Sequence, residues 1–220
     1  VNLNVYLEAT FFTGTILNDA LFHTRAMFPE VTFTMRHGLM SDVLHDLTDN
    51  RASIGLSAAL DFNLSRHREY ASSLNLRLMP QYNDNLCLCV KSGGAFQSLS
   101  AIRLSHLPDQ VPISLPRDLT DPGFIKAQTR WSDVPKNLVF DDANSLYQCV
   151  YSNDNIGFTS LLAARNHPLF TSGLLKTVPL IDSPVNLVHY LTYPMDLALS
   201  DVEADIVQQI ENFYEHLAAE

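Results

Sequence analysis

In the opening third of the chain the hydrophobic period switches from two residues to 3.6 and back again, twice over. Residues 3–7 (LNVYL) place Leu3, Val5 and Leu7 on alternate positions, the pattern of a strand. Over residues 14–28 the apolar positions Ile16, Leu17, Ala20, Leu21, Met27 and Phe28 define one helix face. Pro29 ends that helix, because a proline disfavours helical geometry in the residue before it. Val31, Phe33 and Met35 then alternate with Thr32, Thr34 and Arg36 until Gly38 breaks the strand. Met40, Val43, Leu44 and Leu47 follow at helical spacing, with Asp42, His45, Asp46 and Asp49 outside. Residues 53–59 (SIGLSAA) form a short apolar third strand. Strand, helix, strand, helix, strand with short joints is two successive crossover units. Parallel strands need such crossovers, so the predicted class is α/β, a parallel sheet covered by helices.

The rest of the chain is less regular. SRHREYASS (65–73) is polar and reads as a loop or surface segment, followed by LNLRLMP and NLCLCV as two further strands. LSAIRLSHLPDQ (99–110) suits a short helix and VPISLP (111–116) a strand. Residues 117–137 have no firm assignment. DDANSLYQCVYSN reads as a helix capped by Asp141 or Asp142, with Ala143, Leu146, Val150 and Tyr151 inward. IGFTS is a strand, LLAARN a short helix, and LLKTVPLI and LVHYLTY are strands. The final helix opens on a capping box, Ser200 and Glu203, and buries Val202, Ile206, Val207, Ile210, Phe213, Tyr214 and Leu217.

Composition narrows the function classes. With 46% hydrophobic and only 17% charged residues, a 220-residue chain has enough apolar surface for a substantial core. Lys and Arg number 14 against 24 Asp and Glu, a net charge of -10. No basic cluster is present to grip a phosphate backbone, so direct nucleic-acid contact is not expected. The three cysteines, Cys87, Cys89 and Cys149, lack a disulfide framework and suit reduced thiols in a cytoplasmic protein. No partner segment completes a metal site around Cys87 and Cys89, and no cofactor or metal is expected. No apolar run approaches the about 20 residues of a membrane span. The abrupt entry into a strand at VNLNVYL, without a basic leader, suggests a piece of a longer protein.

The order and spacing of these elements resemble the effector-binding domain of LysR-type transcriptional regulators. The resemblance rests on Phe28-Pro29-Glu30-Val31, on residues 32–37 with Gly38, and on DVLHDLTDNRASIGLS (42–57). SLYQCVYSNDNIGFTS and GLLKTVPLI, then a strand and a terminal helix, extend it over nearly the whole chain. Ser53 stands where the family usually has an acidic residue, and residues 117–136 match poorly. The resemblance implies a two-lobe, type 2 periplasmic-binding-protein-like fold with a ligand cleft between lobes. Lobe I would be residues 1–82 plus 185–220 and lobe II residues 83–184. It also implies a small-molecule effector, a homodimer or tetramer using the first helix, no catalysis, and DNA contact only through an upstream winged helix-turn-helix absent from this chain.

Ligands of open parallel sheets bind beyond the carboxyl ends of the strands. The expected ligand-binding residues are Thr10, Phe11, Thr13, Leu39, Ser41, Ser57 and Ala58 in the first half, and Ser114, Leu115 and Thr159 in the second. Thr10, Thr13 and Ser41 read equally as helix caps. Free N–H groups at the first helix start favour an anion such as a carboxylate. Phe11, Phe12, Leu39 and Met40 would add apolar wall, and Arg36, His37 and Arg117 are the nearby cations. Two rivals stand beside this reading. Gly55-x-Ser57-x-Ala59 partly matches the nucleophile elbow of serine hydrolases, which requires a strand, a strained turn and a helix. A transporter's solute-binding protein would share the fold.

Overall fold

The computed structural model of the chain describes residues 4–103, 106–107, 112–119, 137–165, 167–181, 186–196 and 198–219. The chain divides into two compact units. Unit 1 is Val1–Asn83 with Val188–Glu220, and unit 2 is Asp84–Leu187.

Unit 1 holds β1 (Asn4–Ala9), α1 (Gly14–Met27), β2 (Thr32–His37), α2 (Met40–Thr48), β3 (Ile54–Leu60) and α3 (Leu64–Ser73). The first part of β4 (Leu76–Lys91), most of β9 (Asn186–Pro194) and α7 (Asp201–Ala219) complete it. Its strand order is β2-β1-β3-β9-β4. β1 lies parallel to β2, Asn4 opposite Thr32 through Ala9 opposite His37, and parallel to β3, Leu7 opposite Ile54. These are the two crossover units. Phe28 leaves helical geometry at φ -127°, ψ 66°, as the proline after it requires. Val43, Leu44 and Leu47 of α2 pack with Tyr190 and Val188 of β9 in one core cluster. α1 packs on α7, and the buried Thr24 hydroxyl donates to Asp205 at 2.6 Å. The capping box opens α7: the Glu203 N–H donates to Ser200 Oγ at 3.3 Å, and the Ser200 N–H donates to the Glu203 carboxylate at 2.9 Å.

Unit 2 holds the rest of β4, β5 (Ile113–Pro116), β6 (Asn137–Phe140), α4 (Ala143–Asn153), β7 (Ile156–Ser160), α5 (Leu161–Arg165), α6 (Pro168–Thr171) and β8 (Leu175–Pro179). β5 is parallel to β6 and β7, while β4 is antiparallel to both β7 and β8. Asp142 caps α4 by accepting from the Ser145 N–H at 2.9 Å. Cys87 and Cys89 are buried on β4.

Several local expectations are corrected. Residues 65–73 are helical, not a loop. α3 lies on the surface with only Ala71 fully buried, so its sequence lacks a visible apolar stripe. The two strands expected over 76–91 are one strand running through Pro80. In unit 1 β4 is the last strand of the sheet, and the N–H that proline lacks is not needed on an edge. No α-helix is seen in the described part of 99–110, where Ile102 bridges Leu180 and His106 lies in a 3-10 turn with its N–H donating to the Arg103 carbonyl at 2.9 Å; residues 104–105 and 108–111 lie outside the described residues, as do 120–136. Met27, expected inward, is 71% exposed. Phe213 and Leu217 are only half-buried, and on α4 the fully buried aromatic is Tyr147, with Ala143 and Tyr151 half-buried.

Candidate functional site

The carboxyl ends of β1, β2 and β3 converge in unit 1. The Gly38 N–H donates to the Ala9 carbonyl at 3.0 Å, and the Thr10 N–H to the Leu56 carbonyl at 3.2 Å. The threonine hydroxyls complete the junction. Thr10 Oγ1 accepts from the Ala58 N–H at 2.9 Å, and Thr13 Oγ1 accepts from the Thr10 N–H at 3.1 Å while donating to the Leu56 carbonyl. Both side chains are fully buried. The capping role expected of them is therefore corrected. Thr13 occupies the position before α1, but its hydroxyl is turned toward β3 and gives the helix no side-chain cap. Ser41 is no cap either: it is exposed within the first turn of α2, where Asp42 accepts from the Leu39 N–H at 2.9 Å.

Around this junction the other expected residues separate by exposure. Phe11 and Phe12 are buried edge to face, ring centroids 5.0 Å apart. Met40 belongs to the core cluster, and Leu39 is half-exposed. Ala58 is buried. Ser57 lies inside β3, fully buried, its hydroxyl without a hydrogen-bond partner among the described residues. It sits on no strand-to-helix elbow, so the geometry of a hydrolase nucleophile is not met. The His37 ring lies against Gly14, the first residue of α1: a Cβ there would stand 2.5 Å from His37 Cε1. Arg36 pairs with Asp46 at 3.5 Å.

In unit 2, Ser114 and Leu115 are buried in β5 and Thr159 in β7. Ser114 Oγ accepts from the Asn155 amide at 3.1 Å and lies 3.8 Å from Cys149 Sγ. The Thr159 hydroxyl shares a hydrogen bond with the Tyr147 phenol. Burial pushes that phenol well above its ordinary pKa, although the bond to Thr159 acts in the opposite sense. Arg117 forks onto Asp141, its second bond 3.1 Å long. That guanidinium holds the Asp141 carboxyl below the usual carboxylate range. Asp84, just past the boundary between units, is buried and accepts from the Leu162 N–H at 3.1 Å, at the start of α5.

Sequence reasoning missed Glu8, Asp46, Tyr147 and Asp84. Glu8 sits on a strand with a neighbour on either side, where both faces are covered and alternation no longer separates inside from outside. A groove of about 370 Å³ lies elsewhere, between α1 and α7, lined by Ile16, Phe22 and His23 against Gln209, Phe213 and His216. Phe22 on its rim is 78% exposed. Among the described residues no helix is long and apolar enough to cross a membrane, and no group of three His, Cys, Asp or Glu side chains could hold a metal.

No protein-family model and no curated sequence matches the chain. Solved structures do. The effector-binding domain of QuiR in complex with shikimate aligns over 98% of this chain and 99% of its own, at 12% identity and a TM-score of 0.68. The BenM effector-binding domain with its effector benzoate aligns over 99% and 95%, at 14% identity and a TM-score of 0.67. A full-length OxyR variant from Pseudomonas aeruginosa aligns over 97% of this chain and 69% of its own, at 11% identity and a TM-score of 0.70. At such identities the likeness speaks to architecture: the chain has the two-lobe, periplasmic-binding-protein-like α/β fold of the effector-binding domains of LysR-type regulators.

Proposed function

We propose that this chain is the ligand-sensing regulatory domain of a bacterial LysR-type transcriptional regulator. It acts by binding, not catalysis. The observation that carries the reading is end-to-end likeness to the QuiR effector-binding domain, over 98% of one chain and 99% of the other. Units 1 and 2 serve as the two lobes, and the domain binds a small effector. Binding shifts the balance between lobe arrangements, and a DNA-binding domain joined upstream reads that shift.

A carboxylate is the effector chemistry best supported by unit 1. Thr13 leaves the first turn of α1 without a side-chain cap, and the His37 ring lies beside that turn. An anion there would receive N–H groups and the positive end of the helix. Leu39 and Ser41, the least buried of the expected contacts in unit 1, would meet the rest of the ligand. Thr10, Thr13, Ser57, Ala58, Ser114, Leu115 and Thr159 would then shape the wall from behind rather than touch the effector with their side chains. The apolar rim of α1, Phe22 and Met27, suits a homodimer or tetramer formed through that helix.

The shikimate and benzoate found with QuiR and BenM, both carboxylates, begin the screen. A binder raises the melting temperature by mass action. Leu39→Ala and Ser41→Ala should then weaken it about three- to tenfold in titration calorimetry, a loss of about 1 kcal/mol. Unchanged affinity in both variants would move the site away from the α2 start.

A further inference from the structure

The underside of α2 meets a buried acid. Glu8 on β1 is only 4% exposed, and its Oε2 has no hydrogen-bond partner. In register it lies opposite Arg36 of β2 and Gly55 of β3. Because Gly55 has no side chain, α2 settles directly on the sheet; a Cβ at that position would stand 2.3 Å from Val43 Cγ1 and 3.2 Å from Leu47 Cδ1. That approach brings Asp46 of α2, paired with Arg36, which is the register partner of Glu8, to the buried acid's side of the sheet. Two carboxyl groups bond to each other only when one carries a proton. Asp46 is already claimed by Arg36 at 3.5 Å and by Arg51 at 3.4 Å, so it is the one that stays ionised. The proton therefore belongs to Glu8, where a negative charge would be buried with one oxygen unsatisfied.

We propose that Glu8 and Asp46 form a proton-dependent latch: protonated Glu8 donates to Asp46 and holds α2 on β1 and β3, and loss of that proton loosens α2 from the sheet. The electrostatics agree with the geometry. Burial first, then Asp46, push Glu8 up to about 7, with Asp42 adding in the same sense and Arg36 opposing. Asp46 is held below the usual range, chiefly by protonated Glu8, with Arg51, Arg36 and His45 helping. β3 presents only Gly55 at this point and brings no charge.

The direction follows from linkage. Glu8 keeps its proton in the folded chain to a higher pH than in the unfolded one. Its stabilisation is fully present below the ordinary glutamate range and is lost as pH rises through about 7. Asp46 works the other way, but on the acid side of its ordinary range, outside this window. The latch needs no effector, so it stands or falls apart from the sensing role.

Carbon-detected titration of the Glu8 carboxyl in the full chain should give a midpoint near 7. Melts of the wild type and Glu8→Gln, which keeps a hydrogen-bond donor but cannot ionise, should diverge. Between about pH 6 and pH 8 the wild type should lose about tenfold in its folding equilibrium, or about 3–5 °C, relative to the variant. Hydrogen exchange in α2, corrected for its intrinsic pH dependence, should quicken over the same range in the wild type only. Should Glu8→Gln fail to fold, Asp46→Asn serves instead: an amide donor replaces the acceptor, and the Glu8 midpoint should fall by more than about one unit. A Glu8 midpoint in the ordinary glutamate range, parallel melting curves, or a midpoint unmoved by Asp46→Asn would each overturn the latch.

Discussion

Units 1 and 2 solve one packing problem in the same way and then diverge in their buried polar groups. In each, a helix lies on a strand glycine. α2 meets Gly55 through Val43 and Leu47, and α4 meets Gly157 through Val150 and Leu146. What surrounds that contact differs. Unit 1 buries Glu8 near the half-buried Asp46, and burial first, then Asp46, pushes Glu8 up to about 7. Unit 2 buries Cys87, Cys89 and Tyr147, whose acidities burial pushes far toward the neutral form. The lesson is that shared architecture leaves the interior charge open: the same helix-on-glycine contact is surrounded by a buried glutamate in one unit and by buried thiols and a phenol in the other.

The glycine contacts offer the largest test of the likeness between units. Gly55→Ala and Gly157→Ala should each cost about 1–3 kcal/mol in chemical denaturation, because a Cβ meets Val43 at 2.3 Å in one and Val150, Cys89 and Leu146 within 2.9 Å in the other. A variant as stable as the wild type would show that its helix does not rest on the strand. Next come the hydroxyls. Thr13→Val should cost about 1–2 kcal/mol by removing the hydroxyl's bonds to the Thr10 N–H and the Leu56 carbonyl, which still pair with each other at 3.2 Å. Tyr147→Phe should cost less, about 1 kcal/mol, since the Thr159 hydroxyl keeps a second contact, to the Ser160 carbonyl at 3.3 Å. Smallest is Arg117→Ala. Its pair with Asp141 is well exposed, 51% and 69%, so the stability change should stay under about 1 kcal/mol and shrink with salt.

How far the sequence foretold this molecule also differs between the units. In unit 1 the alternation of Val5 and Leu7, the stripe of Val43, Leu44 and Leu47, and the Phe28-Pro29 stop each act locally, so they read correctly from one dimension. α3 escaped because a helix that buries only Ala71 has no stripe to see. β4 reads as two strands because Pro80 looks like a break until the first part of the strand is known to be an edge in unit 1. The strand ends that make the candidate site were found by topology. The task of each hydroxyl was not: Thr13 is a cap by local rules, and only the nearness of Leu56, distant in sequence, turns its hydroxyl away. Glu8 was invisible for a similar reason, since Asp46 lies on the helix of the next crossover and comes near it only because Gly55 lets α2 descend.

The sensing role is tested most directly by titrating the full chain with a panel of aromatic and hydroxylated carboxylic acids, benzoate and shikimate among them, and reading the melting temperature. One member at about 100 times its dissociation constant should stabilise the fold by about 2.7 kcal/mol, a rise of about 5–10 °C. A melting temperature that stays within about 1 °C for every acid up to the solubility limit would contradict it.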